Sequence, residues 1–297
     1  MPSTPSRPEP RAKATTQPAL WRRVLCFPPI RLLLLSGVLI LTMAASKATL
    51  SAQLEGWPLA DLRWVAEAGL CLAVYAGLVR FVEGRRVSEL ALPGLGREFG
   101  IGLLVGAGLY TGCVLILMLT GLYRVEGLNP LANLQPALVM TLSLVVFDEL
   151  LLRGVLFRII EESLGSWIAL AVTSFVGGLS RLHPDEWLTS ALFGTIHLGV
   201  VPVAAFMLTR RLWMSMGLNM AWMNTLLGIF SGNVSDSESG SGLVRASIDG
   251  PAWLTGGSVG LHVSLVAFVL WTATGVALLV MAARRGNVVR PFWQRRG

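Results

Sequence analysis

The sequence predicts an all-α fold, a polytopic transmembrane helical bundle of about eight spans with both termini cytoplasmic. Three observations predict it. The chain is 54% hydrophobic and 14% charged, whereas a soluble domain carries about 25% charged residues. Apolar runs approaching the roughly 20 residues that cross a bilayer recur along its length. Its cations favour alternate connections, as the positive-inside rule requires.

Residues 1–28 form a basic tail, rich in Pro, Ser and Thr and without periodicity, which reads as disordered. Residues 29–84 hold two spans, near 30–46 and 66–83. The first resembles a signal-peptide core, but its leader is long and further spans follow, which favours an uncleaved helix. Later spans are expected at 101–122, 136–160, 188–209, 212–231 and 261–283, with a shorter apolar stretch at 167–180. Small residues recur in them (Gly102, Gly106, Gly108, Gly112, Gly177, Gly178), as close helix contacts in lipid require. Counting 167–180 as a span places nineteen of the 24 Lys and Arg residues inside and five outside. Leaving it out would put Arg210 and Arg211 on the wrong side. Residues 232–258 read as a polar outer loop, and 286–297 as a second basic tail.

The net charge of +7 is therefore a topology signal rather than a mark of nucleic-acid binding. The expected localisation is the cell membrane. The expected partners are membrane lipid and a membrane-protein or peptide partner, with no nucleic acid. Cys26, Cys71 and Cys113 are scattered and odd in number, so they suit packing rather than disulfides or a zinc knuckle.

One span carries chemistry. In 136–160 an apolar run leads into Asp148-Glu149, followed by Arg153. Ionisable groups at membrane depth cost roughly 2.5–3.5 kcal/mol each on insertion scales and mark functional sites by default. Glu149 and Arg153 are i,i+4 neighbours, acid first, so the bland alternative is a helix-stapling ion pair.

Asp148-Glu149-Leu-Leu-Leu-Arg153-Gly154, with Arg158 and Leu164-Gly165-Ser166-Trp167 after it, resembles the first motif of the CPBP family. These are the type II CAAX prenyl endopeptidases and their bacterial relatives, with a Glu-Glu-x-x-x-Arg signature. Thr209-Arg-Arg-Leu212-Trp213 and Gly217-Leu-Asn219-Met-Ala221-Trp222 are similar to the family's approach to its last catalytic helix. The likeness covers roughly residues 85–285. It implies an intramembrane endopeptidase in which a carboxylate and two histidines activate water.

The chain departs from that pattern. Its first acid is Asp148 rather than Glu. The family spacing puts Arg181 where the second-motif histidine stands, although a literal Phe-x-x-x-His occurs at Phe193–His197. Asn219 stands for the later histidine and Met223 for the asparagine, with Asn224 one position late, about 100° around the helix. Arginine can neither accept a proton nor ligate a cation. The expectation is a catalytically impaired, non-catalytic relative with no cofactor and no bound metal. The alternative is an active endopeptidase using Glu149 with His197 or His183. On the Arg181 alignment, His197 is a polar residue packed inside the bundle, and His183 and His262 are solvated or capping groups.

Overall fold

The computed structural model describes residues 27–54, 61–129, 134–180, 182, 187–230, 242–257 and 259–294. The N-terminal tail, Arg181, His183 and most of the Gly/Ser-rich stretch lie outside them. The described residues are all-α apart from one small ribbon. The helices are α1 (Pro28–Leu54), α2 (Leu62–Leu78), α3 (Leu95–Leu119), α4 (Leu134–Glu149), α5 (Arg158–Leu164) and α6 (Ser166–Leu179), followed by α7 (Trp187–Gly194), α8 (Val201–Thr209), α9 (Trp213–Asn224), α10 (Ala252–Thr255) and α11 (Leu265–Arg284). Wider π-helical turns extend α2 (Val79–Glu83) and α9 (Thr225–Ile229). Two more join α4 to α5 (Leu150–Phe157) and α7 to α8 (Thr195–Val200).

Among the described residues, five helical stretches are long and apolar enough to cross a membrane: Pro28–Leu50, Leu62–Glu83, Leu95–Leu119, Ser190–Thr209 and Leu265–Arg284. Ser166–Leu179 is a shorter apolar helix. The expected 136–160 span is not among them and carries the charges of Asp148, Glu149 and Arg153, and α9 is only 12 residues long before its π turn. Ser190–Thr209 has 72% of its most apolar window buried in protein, against 28–33% for the other four. It is the central helix around which the rest are arranged.

Glycine sets how closely the helices approach. A Cβ on Gly102 or Gly106 of α3 would collide with the Met214 and Leu218 carbonyls of α9, and one on Gly217 with the Phe99 carbonyl of α3. Gly199 similarly lies against the backbone of Ser174 on α6. These contacts seat α9 against α3 and the α7–α8 junction against α6.

The polar connections hold more structure than expected. β1 (Tyr123–Leu128) pairs antiparallel with β2 (Val244–Ile248), Tyr123 opposite Ile248 and Leu128 opposite Val244, with a register shift between Val125 and Gly127. The 232–258 stretch is therefore partly a strand and, in α10, a short helix. The start of the C-terminal tail is docked. Ser166 N–H donates to the Val289 carbonyl at 3.0 Å, and Asn287 Nδ2 donates to the Met207 carbonyl at 2.9 Å.

The end of the bundle where that tail docks is tied by ions. Arg158 meets Glu83 at 2.6 Å and Glu162 at 3.0 Å, and Arg85 meets both Glu83 and Glu89 at 2.6 Å. Arg31 of α1 joins through Glu83 at 3.7 Å and through Glu162. Tyr75 donates to Glu89 and, at 3.0 Å, to the Gly154 carbonyl. Further along, Arg210 pairs with Glu161 and Arg211 with Glu98, each at 2.5 Å. Most of these pairs join residues far apart in the chain.

Candidate functional site

The site begins where α4 ends. Asp148 and Glu149 are consecutive, so they point about 100° apart. Glu149 is fully buried and Asp148 is half-buried at a cavity wall. The wider turn of Leu150–Phe157 follows and carries Arg153, also fully buried. Such π turns inside helices recur at functional sites.

Arg153 Nη1 lies 3.4 Å from Glu149 Oε1, as the i,i+4 spacing predicts. Its Nη2 donates to the Leu198 carbonyl in the π turn that carries His197. Asn219 of α9 donates from Nδ2 to the same Glu149 oxygen. One carboxylate thus joins three segments, and the Asn219–Glu149 bond crosses 70 residues of sequence. Glu149 Oε2 and Asn219 Oδ1 are buried without a hydrogen-bond partner among the described residues. An isolated buried charge is expensive, so the ion pair and the amide hold one another in place.

Asp148 faces elsewhere. It lines a cavity of about 20 Å³ together with Thr141, His197, Asn219 and Met223. That is room for one water molecule, which needs roughly 10–15 Å³ and two to four polar neighbours. His197 and Met223 also line a second cavity of about 240 Å³, whose other walls include Ser190, Phe193, Trp222 and His262. His197 is buried and stacked on Phe193, ring centroids 5.1 Å apart. The Trp271 ring stands nearly perpendicular to it with centroids 4.6 Å apart, and the Trp222 centroid is 5.7 Å away.

The structure therefore brings together Asp148, His197, Asn219 and Met223 around the small cavity, with Glu149 and Arg153 packed behind it. His197 is buried within the bundle, as the Arg181 alignment implies, yet it is also beside the acid pair. His262 is half-buried at the edge of the same cluster. It meets Phe193 edge-on at 5.8 Å and faces the larger cavity. No periodicity marked this residue, because it sits in a short 3₁₀ turn (Leu261–Val263) just before α11. Asn224 turns away and donates to the Met220 carbonyl at 2.8 Å. It does not stand in for residue 223. Among the described residues, no three His, Cys, Asp or Glu side chains gather as a metal site requires. The described donors beside the small cavity, Asp148 and His197 with a neutral amide, fall short of that set.

Residues 130–225 match the Rce1-like family model, described as type II CAAX prenyl endopeptidase Rce1-like. Over this stretch, about a third of the chain, the protein is similar to the CAAX proteases. The matched CAAX-protease-like segment contains Asp148, Glu149, Arg153, Arg181, His197, Asn219 and Met223, and it ends before His262. Neither a curated protein nor a solved structure matches the chain. With its apolar helices, the chain is a membrane protein related to the CAAX proteases.

Proposed function

We propose that this CAAX-protease-like protein works in the cell membrane as a non-catalytic scaffold or regulator. In this reading it engages membrane lipid and a membrane-protein or peptide partner without cutting a peptide bond. The observation that carries the reading is the hydrogen bond from Asn219 to Glu149. At the position where relatives have a histidine, this chain has an amide, and the amide supports the buried ion pair. An amide neither takes nor gives a proton near neutrality. The cluster then serves to lock α4, the α7–α8 junction and α9 together.

One observation favours a second reading, an endopeptidase with a rearranged site. Asp148 and His197 share a cavity the size of a water molecule. A carboxylate there could take a proton from water while the imidazole oriented it for attack on a carbonyl. Asp148, rather than Glu149, would be the base, because Glu149 is enclosed with Arg153 and Asn219. Cleavage of prenylated and unprenylated peptides by the purified protein in detergent separates the two. The scaffold reading expects wild type to match Asp148→Asn at background. Turnover that Asp148→Asn and His197→Ala both abolish would establish the endopeptidase.

A further inference from the structure

At the end of the bundle where the C-terminal tail docks, the acids are all taken. Glu83, Glu89, Glu98, Glu161 and Glu162 meet Arg31, Arg85, Arg158, Arg210 and Arg211, five charges of each sign. Five more arginines stand at the same end. Arg80, Arg86 and Arg97 each lie within three residues of a member of that network. Arg284 and Arg285 lie within three residues of Asn287, whose carbonyl accepts from Arg210. All five are exposed, and no acid among the described residues at this end remains to neutralise them. The other end is mixed, with Lys47, Arg63, Arg124 and Arg245 beside Asp61, Glu126 and Asp249.

The unmatched arginines mark a particular depth. Arg80 is in the last turn of the Leu62–Glu83 stretch, Arg97 in the first turn of α3, and Arg284 is the last residue of α11. Three membrane-crossing stretches thus each carry a free cation where they leave the hydrocarbon. A long arginine side chain keeps its stem on apolar surface and its guanidinium among the headgroups. Aromatic rings stand at the same end. Phe81 is 81% exposed, and Phe292 and Trp293 are 54% and 50% exposed, edge-on to one another with centroids 5.1 Å apart. Exposed aromatic side chains gather at the membrane–water boundary. A soluble acidic partner would match the charges but leave these rings in water. A bilayer surface accommodates both.

We propose that this arginine rim binds anionic phospholipid headgroups in preference to zwitterionic ones. A guanidinium donates two parallel N–H bonds to a phosphate. In phosphatidylglycerol the phosphate charge is left for the protein to balance, whereas in phosphatidylcholine the headgroup's own ammonium offsets it. The proposal deepens the membrane-lipid part of the proposed function and rests on that part alone. It holds whether or not peptides are cut, and whichever leaflet this end faces.

The test uses the full chain reconstituted in nanodiscs of equimolar phosphatidylglycerol and phosphatidylcholine with matched chains. The protein is extracted in mild detergent, and the lipids that stay with it are quantified by mass spectrometry after their own extraction. One arginine beside an anionic surface is worth about five-fold in association, so retained phosphatidylglycerol should exceed phosphatidylcholine about five-fold in 0.1 M salt. The excess should shrink in 1 M salt, where the screening length falls from about 10 Å to about 3 Å. Replacing Arg80, Arg86, Arg97, Arg284 and Arg285 together by Gln should bring the ratio close to one. These side chains hold no ion pair of the network, so the variant should keep its monodisperse peak in gel filtration. Arg124→Gln with Arg245→Gln, at the other end, should leave the ratio as in wild type. Equal retention of the two lipids by wild type, or an excess that 1 M salt does not reduce, would overturn the proposal. An equal fall in the variant at the other end would also overturn it, because net charge rather than the rim would then select the lipid. The wild-type measurements stand even if a variant fails to fold. Loss of the lipid preference would leave the peptide-cleavage comparison untouched, so the two failures are distinguishable.

Discussion

At the residue scale, the buried Glu149–Arg153 pair is the feature with the largest expected consequence. Both side chains are fully buried, and removing one partner of such a pair costs about 3–5 kcal/mol, because the other charge is left uncompensated. Arg153→Ala should therefore lower the melting temperature in detergent far more than Arg284→Ala, which removes an exposed arginine at the end of α11. Equal melting of the two would mean that water reaches Arg153. Asn219→Leu should cost less, about 1–3 kcal/mol, since it leaves a buried acceptor short of one donor. The pair was legible in the sequence because both partners lie on one helix, four residues apart. The bond from Asn219 was not, because nothing local ties residue 219 to residue 149. Nor was the place of His262, whose partners belong to other helices.

At the element scale, the contact between α3 and α9 depends on hydrogen atoms where side chains would stand. Gly106→Val should abolish a monodisperse peak in gel filtration, because a Cβ there meets the Leu218 carbonyl. Gly108→Val should be tolerated, because nothing lies within 4 Å of its Cβ position. The recurrence of small residues was visible in the sequence, but which glycine faces a neighbour was not. The two strands escaped sequence reading for a similar reason. Each is only five or six residues long, set in polar connections, and pairs with a partner more than a hundred residues away. The ion network beyond α2 supplies a pH dependence. Burial alone would raise the Glu89 carboxyl, but hydrogen bonds from Arg85 and Tyr75 outweigh it and hold the group below its ordinary value of 4.5. A depressed carboxylate contributes stability that is present above its unfolded value and is lost as pH falls through the folded one. Melting in detergent should thus fall between pH 6 and the pH region below about 4.5 by more in wild type than in Glu89→Gln. Identical pH dependence in the two would remove Glu89 from the network's energetics.

At the scale of the whole molecule, hydropathy made the all-α membrane class legible, and short motifs made the family legible. The span count was less so, because α9 is short and the 136–160 stretch carries the charges of the site itself. The proposed arrangement of eight spans with cytoplasmic termini rests on the cation split, nineteen against five. With the three native cysteines replaced, a cysteine at Asp249 should react with an impermeant reagent only from outside, and one at Gly286 only from the cytoplasm. Reaction of both from one side would discard that topology. The central claim of the proposed function is that this chain, similar over residues 130–225 to a protease family, does not cleave peptides, because the machinery is replaced at several places at once. Groups that act as one catalytic unit are not additive, so single reversions should stay inactive. The most direct measurement compares cleavage of a prenylated peptide by wild type, by Asn219→His alone, and by the combined Asp148→Glu, Arg181→His, Asn219→His and Met223→Asn variant. The account expects the first two to remain at background and turnover only in the combined variant. Turnover by the wild type that disappears in Asp148→Asn would contradict it.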